Sequence, residues 1–486
     1  MLDCTFVAVR KSKPAIILEK VLIEDYAAEG KSLARVDGKV IFVEGAVPGD
    51  VVDIQLQKNK TDWAEGFAKQ FHSYSEIRVK PFCSHFGVCG GCQWQMLPYA
   101  QQLVYKQQQV VDNLTRIAKI PLPTIPAILG AKQTEGYRNK VEYTFATEIY
   151  MSFEAFRAMK ASGEEPVKSP GDGGFHARGF FEKIVPIDTC YLQEEPTNLL
   201  RKAVVQFALD NKMPFYNIKQ HQGWLRNMFV RNTTKGEWMI NLMLGYEDEV
   251  KRKALLDLLL KQFPQITTLL YTINTKRNDS MQDLEPQVYY GNGYITEKLE
   301  KFEFKISPKS FFQTNSKQAE VLYQVTRDFA ELTGKEIVYD LYCGTGSIGI
   351  FCSEQAKKII GVEFVAEAIE DAKLNAALNG LTETAFFAGD VIKVCDDAFF
   401  ETHGKPDVII TDPPRAGMHE KLVQKLLEME APTIVYVSCN PATQARDLAL
   451  LHAKYTVTKI QPVDMFPHTL HIENVVQLKR TDLLNA

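Results

Sequence analysis

The stretch Val408-Ile-Ile-Thr-Asp412-Pro-Pro-Arg415, read with Tyr436-Val-Ser-Cys439-Asn-Pro-Ala-Thr443 downstream, decides the fold of this chain. Each is a short apolar run, rich in β-branched residues, that stops abruptly at polar groups and proline. A buried parallel strand reads this way where it delivers side chains to the carboxyl edge of its sheet. Ligands bind at that edge, so an acidic group and a thiol at two successive strand ends are candidates for one pocket.

Working outward, strands over 337–342, 359–362, 385–387, 408–411 and 434–438 alternate with helices in the doubly wound manner. A helix over 318–333 and a hinge-like Ser307-Pro-Lys-Ser-Phe-Phe-Gln313-Thr-Asn315 precede them. Gly344-Thr-Gly346-Ser-Ile-Gly349 follows the first of these strands and opens a helix, and Glu363 ends the next strand, where an acidic residue binds ribose hydroxyls. The pattern alone admits NAD. Asp340 near the end of the first strand and Asp412-Pro-Pro at the fourth favour S-adenosylmethionine, whose amino-acid end needs polar recognition where NAD presents pyrophosphate. Tyr342 can pack against such a cofactor, and the glycines let the backbone approach it.

At 486 residues the chain suggests roughly three domains. Residues 1–75 show short strands at 16–18, 32–36, 40–43, 51–56 and 63–71 separated by tight turns, which predicts a small antiparallel barrel. Residues 76–300 read as an α+β middle domain. It has an amphipathic helix over 97–120 that can pack on the last domain, an irregular insertion over 146–173, helices over 197–211 and 248–262, and strands near 227–231, 238–244 and 268–274. Arg138 and Lys140 in Glu135-Gly-Tyr-Arg-Asn-Lys140 suit phosphate contacts or plain surface charge. Residues 301–486 form the Rossmann-like domain.

A net charge of −4 argues against a strongly basic nucleic-acid binder, although a local basic face suffices for phosphate contacts. No apolar run approaches the roughly 20 residues a bilayer span needs, and Met1-Leu-Asp-Cys-Thr shows no signal-peptide pattern, so a cytoplasmic location without membrane contact is expected. Three of the nine cysteines crowd into Cys83-Ser-His-Phe-Gly-Val-Cys89-Gly-Gly-Cys92. In a reducing compartment such crowding predicts a metal or cluster site, with Cys190 as the natural fourth ligand. Spacing leaves zinc and iron–sulfur both open.

The segment Gly45-Ala-Val-Pro-Gly-Asp50 before Val51-Val resembles the TRAM domain, an OB-like barrel found on RNA-modifying enzymes. Four further motifs resemble the RNA uracil-C5 methyltransferases: Asp340-Leu-Tyr-Cys-Gly-Thr-Gly346, Asp412-Pro-Pro-Arg-Ala-Gly417, Tyr436-Val-Ser-Cys439-Asn-Pro441 and Asp464-Met-Phe-Pro-His-Thr-Leu-His-Ile-Glu473. They are most similar to the 23S ribosomal RNA branch with a TRAM domain and a [4Fe–4S] cluster. The resemblance covers nearly the whole chain. It implies Gln313, Tyr342, Glu363, Asp412 and, less directly, Asp390 at the S-adenosylmethionine site beside Gly344 and Gly346. It also implies Cys439 as nucleophile, Glu473 as base, and Cys83, Cys89, Cys92 and Cys190 as cluster ligands. Departures are the 146–173 insertion, Ser347 where relatives often carry Asn, and the acidic balance.

The chemistry needs these residue types. Carbon 5 of uracil is a weak nucleophile until a thiolate adds to carbon 6, after which carbon 5 can take a methyl group and a base must remove its proton. A strand-end setting that lowers the Cys439 pKa from about 8.5 is expected. The expected partner is ribosomal RNA with its target uridine flipped out of the stack, bound by a monomer. Alternatives are a transfer-RNA uracil-C5 enzyme, disfavoured by barrel and cluster, and an RNA cytosine-C5 enzyme, disfavoured because Asp412-Pro-Pro-Arg holds no cysteine. A cluster-initiated radical enzyme, an NAD oxidoreductase and a non-catalytic RNA-binding cluster protein complete the set.

Overall fold

In the computed structural model, residues 16–163 and 169–484 are described. The N-terminal residues 1–5, the first part of the predicted barrel domain and residues 164–168 of the predicted insertion lie outside the described residues.

The chain divides into two compact units. The first, Met1–Lys80 with Gln95–Pro98, is built on a six-stranded sheet ordered Ile17–Leu22, Val51–Asn59, Trp63–Ser73, Lys39–Glu44, Ser32–Val36 and Asp25–Tyr26. All neighbours are antiparallel except the Lys39–Glu44 and Trp63–Ser73 pair. Alternate residues such as Ile41, Val43, Val52 and Ile54 fill its core, as a period-two pattern requires. Three register shifts between Val51–Asn59 and Trp63–Ser73 supply bulges, the usual means of coiling a small sheet. Asp50 is fully buried and accepts hydrogen bonds from Arg78, Val47 and Ser75, which fixes the Pro48-Gly49-Asp50 turn.

The second unit contains two seven-stranded sheets and a hairpin. The middle sheet runs Gln287–Tyr290, Ile266–Ile273, Trp238–Leu244, Leu225–Asn232, Lys140–Ala146, Asp172–His176 and Ile184–Pro186. Helices Thr197–Asp210 and Glu249–Gln262 bury Leu200, Val204, Leu255, Leu256 and Leu259 against it. The described part of the predicted insertion is not wholly irregular. It carries a helix, Phe153–Ala161, because Ser152 caps it by accepting a hydrogen bond from the Ala155 N–H and Glu154 sits in its first turn.

The C-terminal sheet runs Thr384–Ala388, Lys358–Glu363, Ile337–Leu341, Val408–Thr411, Thr433–Ser438, Glu473–Arg480 and Tyr455–Val463. Its first five strands are parallel and are the five read from sequence. The last two were not foreseen: Glu473–Arg480 lies between Thr433–Ser438 and Tyr455–Val463 and is antiparallel to both. Both faces are covered. The hairpin Ile295–Leu299 and Phe302–Ile306 packs with Leu322 and Ile350 on one side. On the other, Val110, Leu114 and Ala118 from the helix Tyr99–Asn113 and its π-helical extension pack with Tyr339, Leu341 and Leu448. Among the described residues no helix is long and apolar enough to cross a membrane.

Candidate active site

Register brings the predicted residues to one edge. Thr411 pairs with Leu341 on one side and Tyr436 on the other, so Asp412 and Tyr342 leave adjacent strand ends together. Ser438 pairs with Asn474, and the next step on each strand is Cys439 on one and Glu473 on the other. Facing positions of an antiparallel pair stand about 4.5–5.5 Å apart at Cα. Cys439 and Glu473 therefore lie one residue beyond the last pair of this ladder, near enough for the Glu473 carboxylate to act on the thiol.

Local chemistry fixes the thiol. Asn440 caps the helix Pro441–Leu451 by accepting from the Ala442 N–H at 3.1 Å, with Pro441 in the first turn where no N–H is needed. The Asn440 amide and the Thr443 hydroxyl both donate to the Arg415 carbonyl, at 3.0 and 3.2 Å. The Cys439 turn and the Asp412-Pro-Pro-Arg415 loop are therefore one piece. Cys439 is half-buried and Glu473 buried.

The electrostatics correct one expectation. The Cys439 thiol is not lowered but pushed up to about 11, by burial first and then by the Glu473 and Asp412 carboxylates, with Arg415 opposing. The strand end that supplies polar groups supplies more negative charge than positive. Burial and Asp412 hold the Glu473 carboxyl well above the usual range, and burial raises Asp412 to about 7. Arg415, which the sequence reading quoted without a role, is the cation facing both Cys439 and Glu473, and its guanidinium contacts His471. The Asp-Pro-Pro-Arg motif was the available signal.

The cofactor edge is equally organised. Gly346 sits at φ +75°, and a Cβ there would meet Phe386 and Ala372 at 3.0 and 3.1 Å, so glycine is required. Glu363 accepts from the N–H groups of Gly344 (3.3 Å) and Val365 (2.9 Å), which ties the glycine turn to the next strand end. Asp390 caps the short helix after its strand, accepting from Ile392. Tyr342 is half-buried at φ +61°, with Glu363 and Asp390 nearby. Asp340 accepts from Gly349 at 2.8 Å through one oxygen, while its other oxygen is buried without a partner and its carboxyl is raised to about 7. An unmatched acceptor beside a glycine turn and an acidic strand end fits a cofactor bearing an ammonium and a ribose. Ser347 bonds the Tyr323 hydroxyl at 2.9 Å.

Gln313 is half-buried, and its main-chain carbonyl accepts from the Asn139 amide at 3.1 Å. Neighbouring Asn315 donates to the Met465 carbonyl at 2.9 Å. In the Tyr137-Arg-Asn-Lys140 segment the Tyr137 hydroxyl donates to the Pro467 carbonyl and the Arg138 Nε to the Lys140 carbonyl, while Arg138 and Lys140 are half-buried.

Cys83, Cys89, Cys92 and Cys190 are half-buried. Cys190 faces Cys83 and Cys89, and Tyr137 faces Cys92 and Cys190, so all four share one neighbourhood. The Gly91 N–H donates to the Cys89 sulfur at 3.4 Å, and the Leu192 N–H serves Cys190. Among the described residues, however, no three His, Cys, Asp or Glu side chains converge on a point that could hold a metal ion. Neither the iron–sulfur nor the zinc site expected from the cysteine spacing is shown by this arrangement. A cavity of about 1000 Å³ lies elsewhere, lined by Tyr216, Arg226 and Tyr246 of the middle sheet region, and none of the predicted site residues lines it.

Comparisons place these features. The family model "tRNA (Uracil-5-)-methyltransferase" matches residues 396–481, which hold Asp412, Cys439 and Glu473; "TRAM domain" matches 19–68 and "Methyltransferase small domain" 319–434. A protein of Bacteroides thetaiotaomicron named as an uncharacterized RNA methyltransferase is 50% identical over 457 residues, 93% of this chain and 99% of its own length. One of Porphyromonas gingivalis, similarly named, is 47% identical over 94% of this chain and 99% of itself. This chain belongs to the RNA uracil-C5 methyltransferases. Among solved structures, Pyrococcus abyssi tRNA (uracil-54, C5)-methyltransferase in complex with S-adenosyl-L-homocysteine is 27% identical with a TM-score of 0.72, covering 94% of this chain and all of that one. The methyltransferase described here is thus an S-adenosylmethionine-dependent enzyme acting on RNA, with an N-terminal TRAM domain.

Proposed function

We propose that the enzyme methylates carbon 5 of a uridine in 23S ribosomal RNA, acting in the cytoplasm as a monomer, with Cys439 as nucleophile and Glu473 as base. The observation that supports this reading is that Cys439 and Glu473 lie just past the last pair of two hydrogen-bonded strands and interact electrostatically with each other and with Asp412 and Arg415. The uridine must leave its stack to expose the ring face to a thiol at a sheet edge.

The Cys439 sulfur, as thiolate, forms a bond to carbon 6, and the ring electrons move to carbon 5. S-adenosylmethionine supplies an electrophilic methyl group, held by Gln313, Tyr342, Gly344, Gly346, Glu363, Asp390 and Asp412. Carbon 5 would take that methyl as the methyl–sulfonium bond breaks and S-adenosylhomocysteine departs, and would still bear its proton. Glu473 takes the proton, the carbon 5–carbon 6 double bond re-forms, and the sulfur leaves as thiolate. A carboxyl held well above its usual range is a stronger base near neutrality than an ordinary glutamate. Arg415 favours the thiolate that burial and two carboxylates disfavour.

Cys83, Cys89, Cys92 and Cys190 are proposed to hold a [4Fe–4S] cluster, whose four corners are more widely spread than the ligands of a single ion. The four-sulfur donor set, its half-burial and the backbone N–H groups aimed at two of the sulfurs support this. Its role is structural: it holds the 83–92 loop in place.

Transfer RNA is the second reading, favoured by the Pyrococcus enzyme's match over 94% of this chain. That match is too complete to leave the barrel out, so the barrel no longer argues against tRNA. Locating 5-methyluridine in ribosomal and transfer RNA from cells with and without the gene separates the two. For the mechanism, Glu473→Gln is expected to accumulate a denaturation-resistant protein–RNA adduct. Normal turnover with no adduct would remove Glu473 from its role.

A further inference from the structure

The helix Tyr99–Asn113 carries two polar side chains on its buried face. Gln102 and Lys106 have no solvent exposure. Lys106 forms an ion pair with Asp464 at 2.7 Å, both side chains fully buried, and also donates to the Phe466 carbonyl at 3.2 Å. The Tyr99 hydroxyl donates to the other Asp464 oxygen at 2.8 Å. Gln102 accepts from the His468 N–H at 2.9 Å, and its amide bonds the His468 ring Nδ1 and donates to the Trp94 carbonyl, both at 3.1 Å. Apart from the bond to Trp94, these contacts reach one segment, 464–468, that runs into Glu473.

The same segment also receives the cysteine loop. The Gln93 and Trp94 N–H groups, immediately after Cys92, both donate to the His468 carbonyl, at 2.9 and 3.1 Å. The Phe82 ring, next to Cys83, stands edge-on to the His468 ring with centroids 5.1 Å apart. His468 is held at φ +64°, a conformation a histidine keeps only when its surroundings fix it. Beyond it, His471 contacts the Arg415 guanidinium.

We infer that Gln102 and Lys106 are positioning residues for the reaction: by gripping 464–468 they set where Glu473 and Arg415 stand, and they join that segment to the cysteine loop. They touch no reacting atom. Burying an amide and an ammonium is costly unless every donor is used. Here the cost is offset by fixing a loop with little regular structure just ahead of the catalytic strand. Burial also keeps His468 neutral, its ring pushed down to about 4, which its acceptor role at Nδ1 requires.

The inference rests on Glu473 being the base, and the test separates the two. Gln102→Met keeps the side-chain volume and removes the side-chain hydrogen bonds to His468 and Trp94. It is expected to fold, to bind S-adenosylmethionine and RNA within about twofold of the parent, and to lose at least about tenfold in kcat. During turnover it should build up the denaturation-resistant RNA adduct, because sulfur adds normally but the proton is removed slowly. The double variant Lys106→Met/Asp464→Asn, which replaces the buried ion pair by neutral groups, should show the same signature. If Glu473→Gln traps an adduct while both variants turn over normally without one, or lose only RNA affinity, the positioning role is wrong. If Glu473→Gln traps nothing, the assignment of the base fails instead.

Discussion

The sheet edge that carries Cys439 and the loop that carries Cys83, Cys89 and Cys92 both gather reactive groups, but they are held by different means. At the edge, main-chain register does the work: Ser438 against Asn474 and Leu341 against Thr411 deliver Cys439, Glu473, Tyr342 and Asp412 side by side. Around the cysteines, one isolated bridge, Cys89 with Ala177, and scattered hydrogen bonds from Gln93, Trp94 and Gly91 replace a ladder. A paired strand distributes its stability over many bonds, whereas a loop concentrates it in a few. The edge should therefore tolerate perturbation around it and fail through loss of chemistry, while the loop should fail through loss of order.

The largest expected effect sharpens the first half of that contrast. Cys439→Ala should lower methyl transfer by about 10⁴-fold or more while leaving S-adenosylmethionine binding and melting temperature unchanged, by calorimetry on the same samples. Activity that survived would break the comparison at its root. Asp412→Asn comes next, with a loss of roughly 10²–10³-fold in kcat/KM expected. It should also change stability against pH. A carboxyl raised to about 7 in the folded protein makes stability fall as pH rises from the unfolded value near 4 towards 7, and the asparagine variant should lack that component in melting curves taken across the range.

A smaller effect probes the thiol itself. With the group at about 11, alkylation of Cys439 in the free enzyme should quicken about tenfold per pH unit from pH 7 to about 10. In Glu473→Gln the midpoint should move down, since Glu473 is one cause of the rise. A plateau near pH 8 in the parent would contradict the electrostatics described above. The smallest effect belongs to the loop: Cys89→Ser should lower the melting temperature by roughly 2–5 °C and weaken RNA binding a few-fold. A variant with an unchanged melting profile and unchanged RNA affinity would remove the structural role proposed for the cysteines.

The same contrast explains what could be read in the sequence. Five parallel strands were legible because each is a compact apolar run ended by a polar or glycine signal, and their side chains at the carboxyl edge followed. Glu473 was legible as a residue but not as the opening of a strand, because Glu473-Asn-Val-Val-Gln-Leu follows a proline- and histidine-rich segment that resembles a loop. Gln102 and Lys106 carry no sequence signal of burial, because polar residues between the apolar positions of an amphipathic helix default to its solvent side. Their partners Asp464 and His468 lie more than 350 residues away in the chain, beyond any local pattern. The sign of the Cys439 shift was missed for a related reason: it depends first on burial and then on Glu473 and Asp412, all of which only the folded chain supplies.

The placement of Glu473–Arg480 inside the sheet, after every strand around it has been synthesised, has a consequence for biogenesis. Thr433–Ser438 is buried along its whole length and has no neighbour on that side until Glu473–Arg480 arrives. A nascent or prematurely terminated chain would expose that edge as a template for pairing with other chains. Incomplete translation products should therefore aggregate rather than persist as soluble, inactive enzyme.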